Sequence, residues 1–467
     1  MDKTLIVDSL FSYERAALIE NNELKEVIIQ EKDTFQVGDI FVAKVKKILT
    51  GKFAFLDLGY EKNGFLGLTD KKQKNLYTFD EKTNKTIINL KEGQDILVQI
   101  DKKGTDIKGP SLTTNLTLTG KYIVLLLNEK NVSISKKIES QDKRLFLKNF
   151  AKEILPEGYG IIFRTNCIEA NICDIEKEVK TLVEKAKSLL EKANYIKPPK
   201  RLFVAKTDIE KIVFDILKEN HKIITNSEES YNNLKNLFNN VEIYKDNLPI
   251  FEAYSIESKI EKIFSNKVWL KSGGFLVIDY VEAMTIIDVN TGKNISKNLD
   301  DMIFKTNKEA IEQIAKEVRL RNISGIILID LIDMKNEKYK IELELYMKEL
   351  AKKDRIPINV YPINELFIMQ LTRKKISKPL YEMISKPCFM CGGSGRIQNE
   401  SYIANIIKNQ IISIFSNTIY KKITVYANSS IIKCLEDIDM ANFEDKQVEF
   451  KTIYNNKFDY FKIEKSL

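Results

Sequence analysis

The sequence predicts a multidomain α/β protein with a small β-barrel near its N-terminus. Three observations carry that expectation. The 467 residues are enough for two to four domains with separate cores. Short strands cut by turns follow one another between about Phe35 and Thr119, and from about Glu252 strands alternate with amphipathic helices. The composition, 43% hydrophobic and 30% charged with few Gly and Pro, is that of an ordinary soluble globular chain.

The formal net charge of +8 favours a polyanionic partner such as nucleic acid, although lysine-rich surfaces are more often solvated faces than binding sites. The single histidine, His221, leaves no paired-histidine acid and base and nearly excludes a Ser/His/Asp triad. In "LKENHKIITN" it reads as a residue at the C-terminal end of a helix. Five cysteines, an odd number, argue against a disulfide framework and for a reducing compartment, the cytoplasm by default. "MDKTLIVDSL" has no apolar core of signal-peptide length, and "YIVLLL" is too short to span a bilayer, so no membrane role is expected.

In the first region, "DIFVAKVKKI", "KFAFLDLG", "NGFLGL" and "DILVQI" are spaced as in an oligonucleotide-binding barrel, with the polar insert "TDKKQKNLYTFDEKTNKT" before the last. Period-two alternation puts Ala54, Leu56 and Leu58 on one face and Phe53 and Phe55 on the other, with Phe65 following. These rings either stack on bases among lysines or fill the barrel core.

From Gly120 to about Arg201 come a strand "KYIVLLLN", a basic helix near "SKKIESQDKRLFLKNFAKEI", a strand "GYGIIFRTNC" and a long charged helix. "IKPPKRL" marks a linker or domain edge. Arg164 and Thr165, at the end of "GIIF", suit a phosphate or cap a loop.

Beyond Glu252, a helix at "SIESKIEKIF" leads to strands "GGFLVIDY" and "MTIIDVN". A helix with Ile311, Ile314, Ala315 and Val318 on one face, the strand "GIILIDLI", a helix from near Lys335 and the strand "PINVYPI" follow. Such alternation implies parallel pairing through right-handed crossovers. Asp288 and Asn290 leave one face of their strand, and Asp330 ends the next strand at the same sheet edge, where open α/β sheets bind ligands. Each acid alone reads more often as a turn or helix cap. Together, two carboxylates and an amide oxygen suit Mg²⁺, and the chemistry that follows is phosphoester cleavage by water activated on the cation, without histidine.

"KPCFMCGGSGRI" places Cys388 and Cys391 in a Cys-x-x-Cys knuckle, a zinc half-site or alternatively a redox dithiol or an inert pair. No second such pair exists, so a second chain would have to donate the missing thiolates.

The ordered set "GDIFVAKV", "AFLDLGYEKNGFL", "FRT", "IDYVEAMTIIDVNTGK", "RLRNISGIILIDLIDM", "LTRKK" and "CFMCGGSGRI" resembles the ribonuclease E/G family from about residue 35 to 397. The resemblance implies a Mg²⁺-dependent endoribonuclease cutting single-stranded, A/U-rich RNA to leave a 5′-phosphate and 3′-hydroxyl, in rRNA processing and mRNA decay. Asp288 and Asp330 match its Mg²⁺ ligands, and Asn290 would orient one of them or meet the scissile phosphate. Phe55, Phe65 and Lys108 match RNA-contacting positions. Arg164 and Thr165 match the centre, and Gly120, Val124 and Arg355 the rim, of a pocket for a 5′-monophosphate. Lys137 stands where the family usually has Arg, keeping the charge without the bidentate fork. The knuckle lacks the family's usual Pro after its first Cys, and Val281 replaces a common Thr.

The same resemblance implies an RNase H-like subdomain (1–34 plus 202–271) interrupted by an OB-fold RNA-binding barrel (35–118) and a 5′-phosphate sensor (119–201). A DNase I-like catalytic subdomain (272–385), a zinc link (386–397) and a small C-terminal domain (398–467) would follow. It further implies a homodimer sharing Zn²⁺ through Cys388 and Cys391, paired into a dimer of dimers. The alternatives are a non-catalytic RNA-binding or ribosome-assembly protein and a DNA-directed phosphodiesterase. Presence of all of Asp288, Asn290 and Asp330 favours the enzyme, and substrate choice separates RNA from DNA.

Overall fold

The structure is a computed structural model that describes all residues except 1–2, 11, 33, 69–89, 105–107, 128, 169, 218–220, 293–298, 437–444 and 456. The polar insert expected after the third barrel strand lies outside the described residues. The chain divides into two units, Met1–Met383 and Ile384–Leu467.

Within the first unit the N-terminal strands Lys3–Ser9, Tyr13–Glu20 and Glu23–Glu31 form an antiparallel meander. Its second turn is the pair Asn21 and Asn22, both at positive φ, which matches the right-handed twist of a two-residue hairpin. Lys3–Ser9 also runs parallel to Lys222–Thr225, which in turn pairs with Val241–Ile243. One sheet is thus assembled from two distant stretches of chain. His221 is buried immediately before Lys222–Thr225 and does not end a helix, because the chain there turns inward to enter a buried strand.

Strands Ile40–Leu49, Phe53–Asp57, Gly64–Gly67, Ser111–Thr113 and Asp95–Lys102 close into an OB-like five-stranded barrel, since the first pairs with the last. Thr50 and Gly51, both at positive φ, make the first hairpin turn. The barrel core is Ala54, Leu56, Leu58, Leu66, Val98 and their neighbours, whereas Phe53, Phe55 and Phe65 lie outside it. This settles one open alternative: the rings are not barrel core. Lys200–Phe203, in the stretch read as a linker, adds a sixth strand beside Ile40–Leu49.

Four strands, Thr117–Thr119, Ile123–Leu126, Val132–Ile134 and Gly160–Phe163, form the next sheet, packed against helices Gln141–Ile154 and Ile172–Ala193. The stretch read as one helix at "SIESKIEKIF" is broken into Glu257–Glu261 and a short 3₁₀ turn Lys262–Phe264.

The last sheet of this unit has the order Lys267–Trp269, Phe275–Tyr280, Met284–Asn290, Gly325–Asp330, Ile368–Arg373, Ile358–Val360. Met284–Asn290 and Gly325–Asp330 are parallel, joined by the helix Leu299–Leu320, as the alternation predicts. Parallel pairing does not extend to "PINVYPI". Ile368–Arg373 inserts antiparallel between Gly325–Asp330 and Ile358–Val360, so the later strand takes the place beside Gly325–Asp330 and Ile358–Val360 is left at the edge. Ile311, Ile314 and Val318 are buried against one face of the sheet with Leu276, Ile287, Val289 and Ile329. Truncating one such side chain to Ala costs about 2–5 kcal/mol. At the helix end Arg321, 2% exposed, pairs with Glu317 at 2.6 Å and donates to the carbonyls of Ile263 and Ser265.

The second unit has the helix Glu400–Asn417 and strands Lys422–Ala427, Gln447–Thr452 and Lys462–Ser466 around their own core. Among the described residues no helix is long and apolar enough to cross a membrane.

Candidate active site

The strand Met284–Asn290 alternates between the two sides of its sheet: Ile287 and Val289 are buried, whereas Asp288 is exposed and Asn290 half-exposed. Asp288 and Asp330 are direct register partners, so their side chains stand abreast on the outer face at the carboxyl end of both strands. Asn290 donates from Nδ2 to Asp288 Oδ2 at 2.8 Å. Partial burial, then the like charges of Asp288 and Asp333, push the Asp330 carboxyl above its ordinary range. Gly292 sits at φ +67°, where a Cβ would come within 2.3 Å of the Gly273 carbonyl oxygen, so only glycine closes the turn after this strand.

Among the described residues no group of three or more His, Cys, Asp and Glu side chains is gathered into a metal cage. Two carboxylates and an amide are a sparser set. That is the arrangement a Mg²⁺ ion accepts when it keeps waters and takes phosphate oxygens.

On the barrel, Phe55 stands opposite Phe65 in register, with ring centroids 5.9 Å apart, and Phe53 adds a third ring 5.2 Å from Phe65. Lys108, exposed, precedes Ser111, the parallel register partner of Phe65. Phe55 and Phe65 therefore meet on one side of the barrel, and Lys108 lies three residues before the strand that pairs with Phe65.

The Arg164 region is organised by internal partners. Its guanidinium donates to the Gly120 carbonyl at 2.7 Å and pairs with Asp215 at 2.6 Å. The hydroxyls of Thr165 and Ser135 are 3.0 Å apart. Glu178, on the helix Ile172–Ala193, accepts the N–H groups of Lys121, Tyr122 and Ile123 at 2.5, 2.8 and 3.0 Å. A Cβ at Gly120 would fall 2.5 Å from the Glu178 carboxyl carbon, which explains the glycine there. Val124 is half-buried in the adjoining strand. The Lys137 ammonium donates to the Asp354 carbonyl at 2.7 Å.

Arg355 is turned instead to Glu26, with contacts of 2.8 and 2.5 Å. Burial works against its charge, but Glu26, and at longer range Asp215, hold the pKa above its ordinary value. Asp215 thus acts on both arginines. Lys206 lies 3.4 Å from the Phe214 ring, and burial lowers its ammonium to about 8 against the attraction of Glu178, with Arg164 adding to the fall. Sequence reasoning missed Glu178, Asp215 and Lys206. The capping box of Thr207 and Glu210, which fixes the helix Asp208–Ile216 carrying Asp215, was the one local signal available.

In the second unit Cys388 and Cys391 sit in a non-helical turn whose Gly392, Gly393 and Gly395 all have positive φ. The Gly395 N–H donates to Cys391 Sγ at 3.3 Å. Backbone N–H groups of Gly395 and Gly393 draw the Cys391 thiol below its usual pKa. A redox pair would open a helix, whereas the next helix starts only at Glu400. Cys167 is buried, and burial pushes its thiol up to about 11.

The chain carries both paired acids at a sheet edge and an OB-like barrel with rings outside its core, and residues 117–376 match the ribonuclease E/G family. The chain belongs to that family and is an endoribonuclease, a hydrolase acting on RNA. It is 31% identical to ribonuclease G of Haemophilus influenzae, over 95% of this chain and 96% of that one. It is 29% identical to ribonuclease G of Escherichia coli strain K12, over 98% and 99%. A further similarity, 31% identity over 84% of this chain and 42% of the relative, is to ribonuclease E of Buchnera aphidicola.

Proposed function

We propose that this endoribonuclease cuts single-stranded, A/U-rich RNA in a Mg²⁺-dependent reaction, leaving a 5′-phosphate and 3′-hydroxyl, and prefers substrates with a 5′-monophosphate. Ribosomal RNA processing and message decay in the cytoplasm are the roles that follow. The observation that carries the reading is the Asp288–Asp330 register pair, two like charges abreast with an amide beside them.

Asp288 and Asp330 would hold Mg²⁺, and Asn290 fixes Asp288 through its amide N–H. When bound, the ion supplies water activation and neutralises charge at the scissile phosphate. Phe55 and Phe65 offer faces for stacked bases, and Lys108 a cation for the backbone. Arg164 and Thr165, rimmed by Gly120, Val124, Lys137 and Arg355, would receive the 5′-phosphate, which must compete with Asp215 for the guanidinium. The parallel pairing of Lys3–Ser9 with Lys222–Thr225 supports an RNase H-like subdomain drawn from 1–34 and 202–271, and the sheet carrying Asp288 supports a DNase I-like subdomain at 272–385.

Cys388 and Cys391 would supply two thiolates of a Zn²⁺ site completed by a second copy, the basis for a homodimer and a dimer of dimers. Cys388→Ser should reduce the assembled mass and remove zinc from metal analysis; unchanged mass and zinc would reject the shared site.

The direct test incubates the protein with Mg²⁺ and an A/U-rich RNA carrying either a 5′-monophosphate or a 5′-hydroxyl, beside Asp288→Asn. Faster cutting of the phosphorylated RNA and none by the variant is expected. Cleavage persisting in Asp288→Asn would reject the catalytic pair, and equal rates on both RNAs would reject the sensor.

A further inference from the structure

The outer face of the catalytic sheet continues past Asn290 into residues that the reading above does not use. Phe275 stands opposite Asn290 and Trp269 opposite Phe275, while Val277 stands opposite Asp288 and Lys267 opposite Val277. Opposed residues on neighbouring strands leave the same face. The intervening positions Leu276 and Val289 are buried in the core, so Trp269, Phe275 and Lys267 share the face of Asp288, Asn290 and Asp330.

Trp269 is 66% exposed. Its ring meets that of Phe275 at 5.4 Å and 61°, and the Lys267 ammonium lies 4.2 Å from the Trp269 ring and 3.6 Å from the Phe275 ring. With strands about 4.8 Å apart, the Trp269 strand is about 10 Å from the strand of Asp288.

We propose that Trp269, backed by Phe275 and flanked by Lys267, is a stacking subsite for an unpaired RNA base beside the phosphate being cut. The position rests on the reading of Asp288 and Asp330 as the cutting site. An exposed indole with an ammonium against it supplies both halves of single-strand recognition: a π-face for the base and a cation for the neighbouring phosphate. Phe275 fixes the indole by an edge contact. Continuity of this face with the acid pair and the positive charge of Lys267 favour RNA over a second copy of the chain as the occupant. Stacking is tolerant of base identity, so the subsite would hold the strand in place without reading its sequence.

Trp269 is the chain's one tryptophan, so its emission reports on this place alone. The full-length protein is titrated with a 2′-O-methyl A/U-rich oligonucleotide, which resists cutting, while anisotropy of an end-labelled copy follows binding. Saturable quenching of the tryptophan in step with binding is expected. On cleavable RNA, Trp269→Ala should raise KM roughly tenfold with kcat nearly unchanged, and Trp269→Phe should recover most of the loss. Binding without any change in emission overturns the proposal. So does emission that responds to protein concentration but not to RNA, which would assign the face to a second copy. Quenching retained in an Asp288→Asn protein that still cuts would support stacking while removing the catalytic reading, so the two failures are distinct.

Discussion

The acid pair on the catalytic sheet and the Arg164 pocket are both proposed to meet RNA phosphates, yet they are built on opposite electrostatic plans. Asp288 and Asp330 face each other as like charges, and burial and repulsion raise the pKa of Asp330. Arg164 already holds its counter-ion, Asp215, at 2.6 Å. As proposed, the first site needs an added cation, so it should set whether the chain cuts at all. The second is complete in itself, so its ligand must displace a carboxylate, and it should set only preference.

The sharpest way to break that contrast is Asp330→Asn. Removing one of two ligands from a site whose ion is worth several kcal/mol should lower the rate of cutting by roughly a thousandfold on every RNA, whatever its 5′ end. A loss confined to phosphorylated RNA, measured in single-turnover cleavage, would merge the two sites into one. Next in size, Arg164→Gln should reduce the preference for 5′-monophosphorylated RNA by roughly 10- to 100-fold, the range for a charged hydrogen bond, while leaving 5′-hydroxyl RNA cut as before.

Asp215→Asn should act in the other direction. It keeps an acceptor for Arg164 but removes the competing charge, so the preference for a 5′-monophosphate should grow about three- to tenfold, as expected for a partly exposed pair. A fall in preference would mean that Asp215 positions Arg164 rather than competing for it. The smallest effect concerns Lys206, whose ammonium is lowered to about 8 by burial. Its charge is present below that pH and lost above it, so 5′-end preference should decline as pH rises through about 8, and Lys206→Arg should flatten the profile. By linkage, this depressed pKa makes folding stability rise from about pH 8 toward the ordinary lysine value, because the unfolded chain then binds the extra proton. Denaturant melts at pH 7.5 and 9.5 on wild type and Lys206→Met check that sign.

The acid pair was legible in the sequence because two simple geometric rules determine it. Alternation places Asp288 and Asn290 on one face, and a helical crossover brings Asp330 to the same edge. The aromatic face of the barrel was half legible: alternation separated Phe53 and Phe55 from Ala54 and Leu56 but could not say which face turned inward. The insertion of Ile368–Arg373 was not legible, because strand order depends on long-range pairing and "FIMQLTRKK" carries no local sign of its neighbours. His221 was misread for a related reason, since "LKENHK" resembles a helix end whatever the chain does next. Asp215 and Glu178 meet partners 51 to 57 positions away, so their roles exist only in three dimensions. Legibility followed locality, and the partners that tune each site were the part that locality could not supply.

The central claim is that Asp288 and Asp330 together make a divalent-cation site, and it can be measured without RNA. Titration with Mn²⁺, which shares the oxygen-ligand preference of Mg²⁺, followed by electron paramagnetic resonance, counts bound ions directly. One Mn²⁺ per chain in the wild type, absent from Asp288→Asn/Asp330→Asn and displaced by Mg²⁺, is the predicted result. Equal Mn²⁺ binding by both proteins would contradict it.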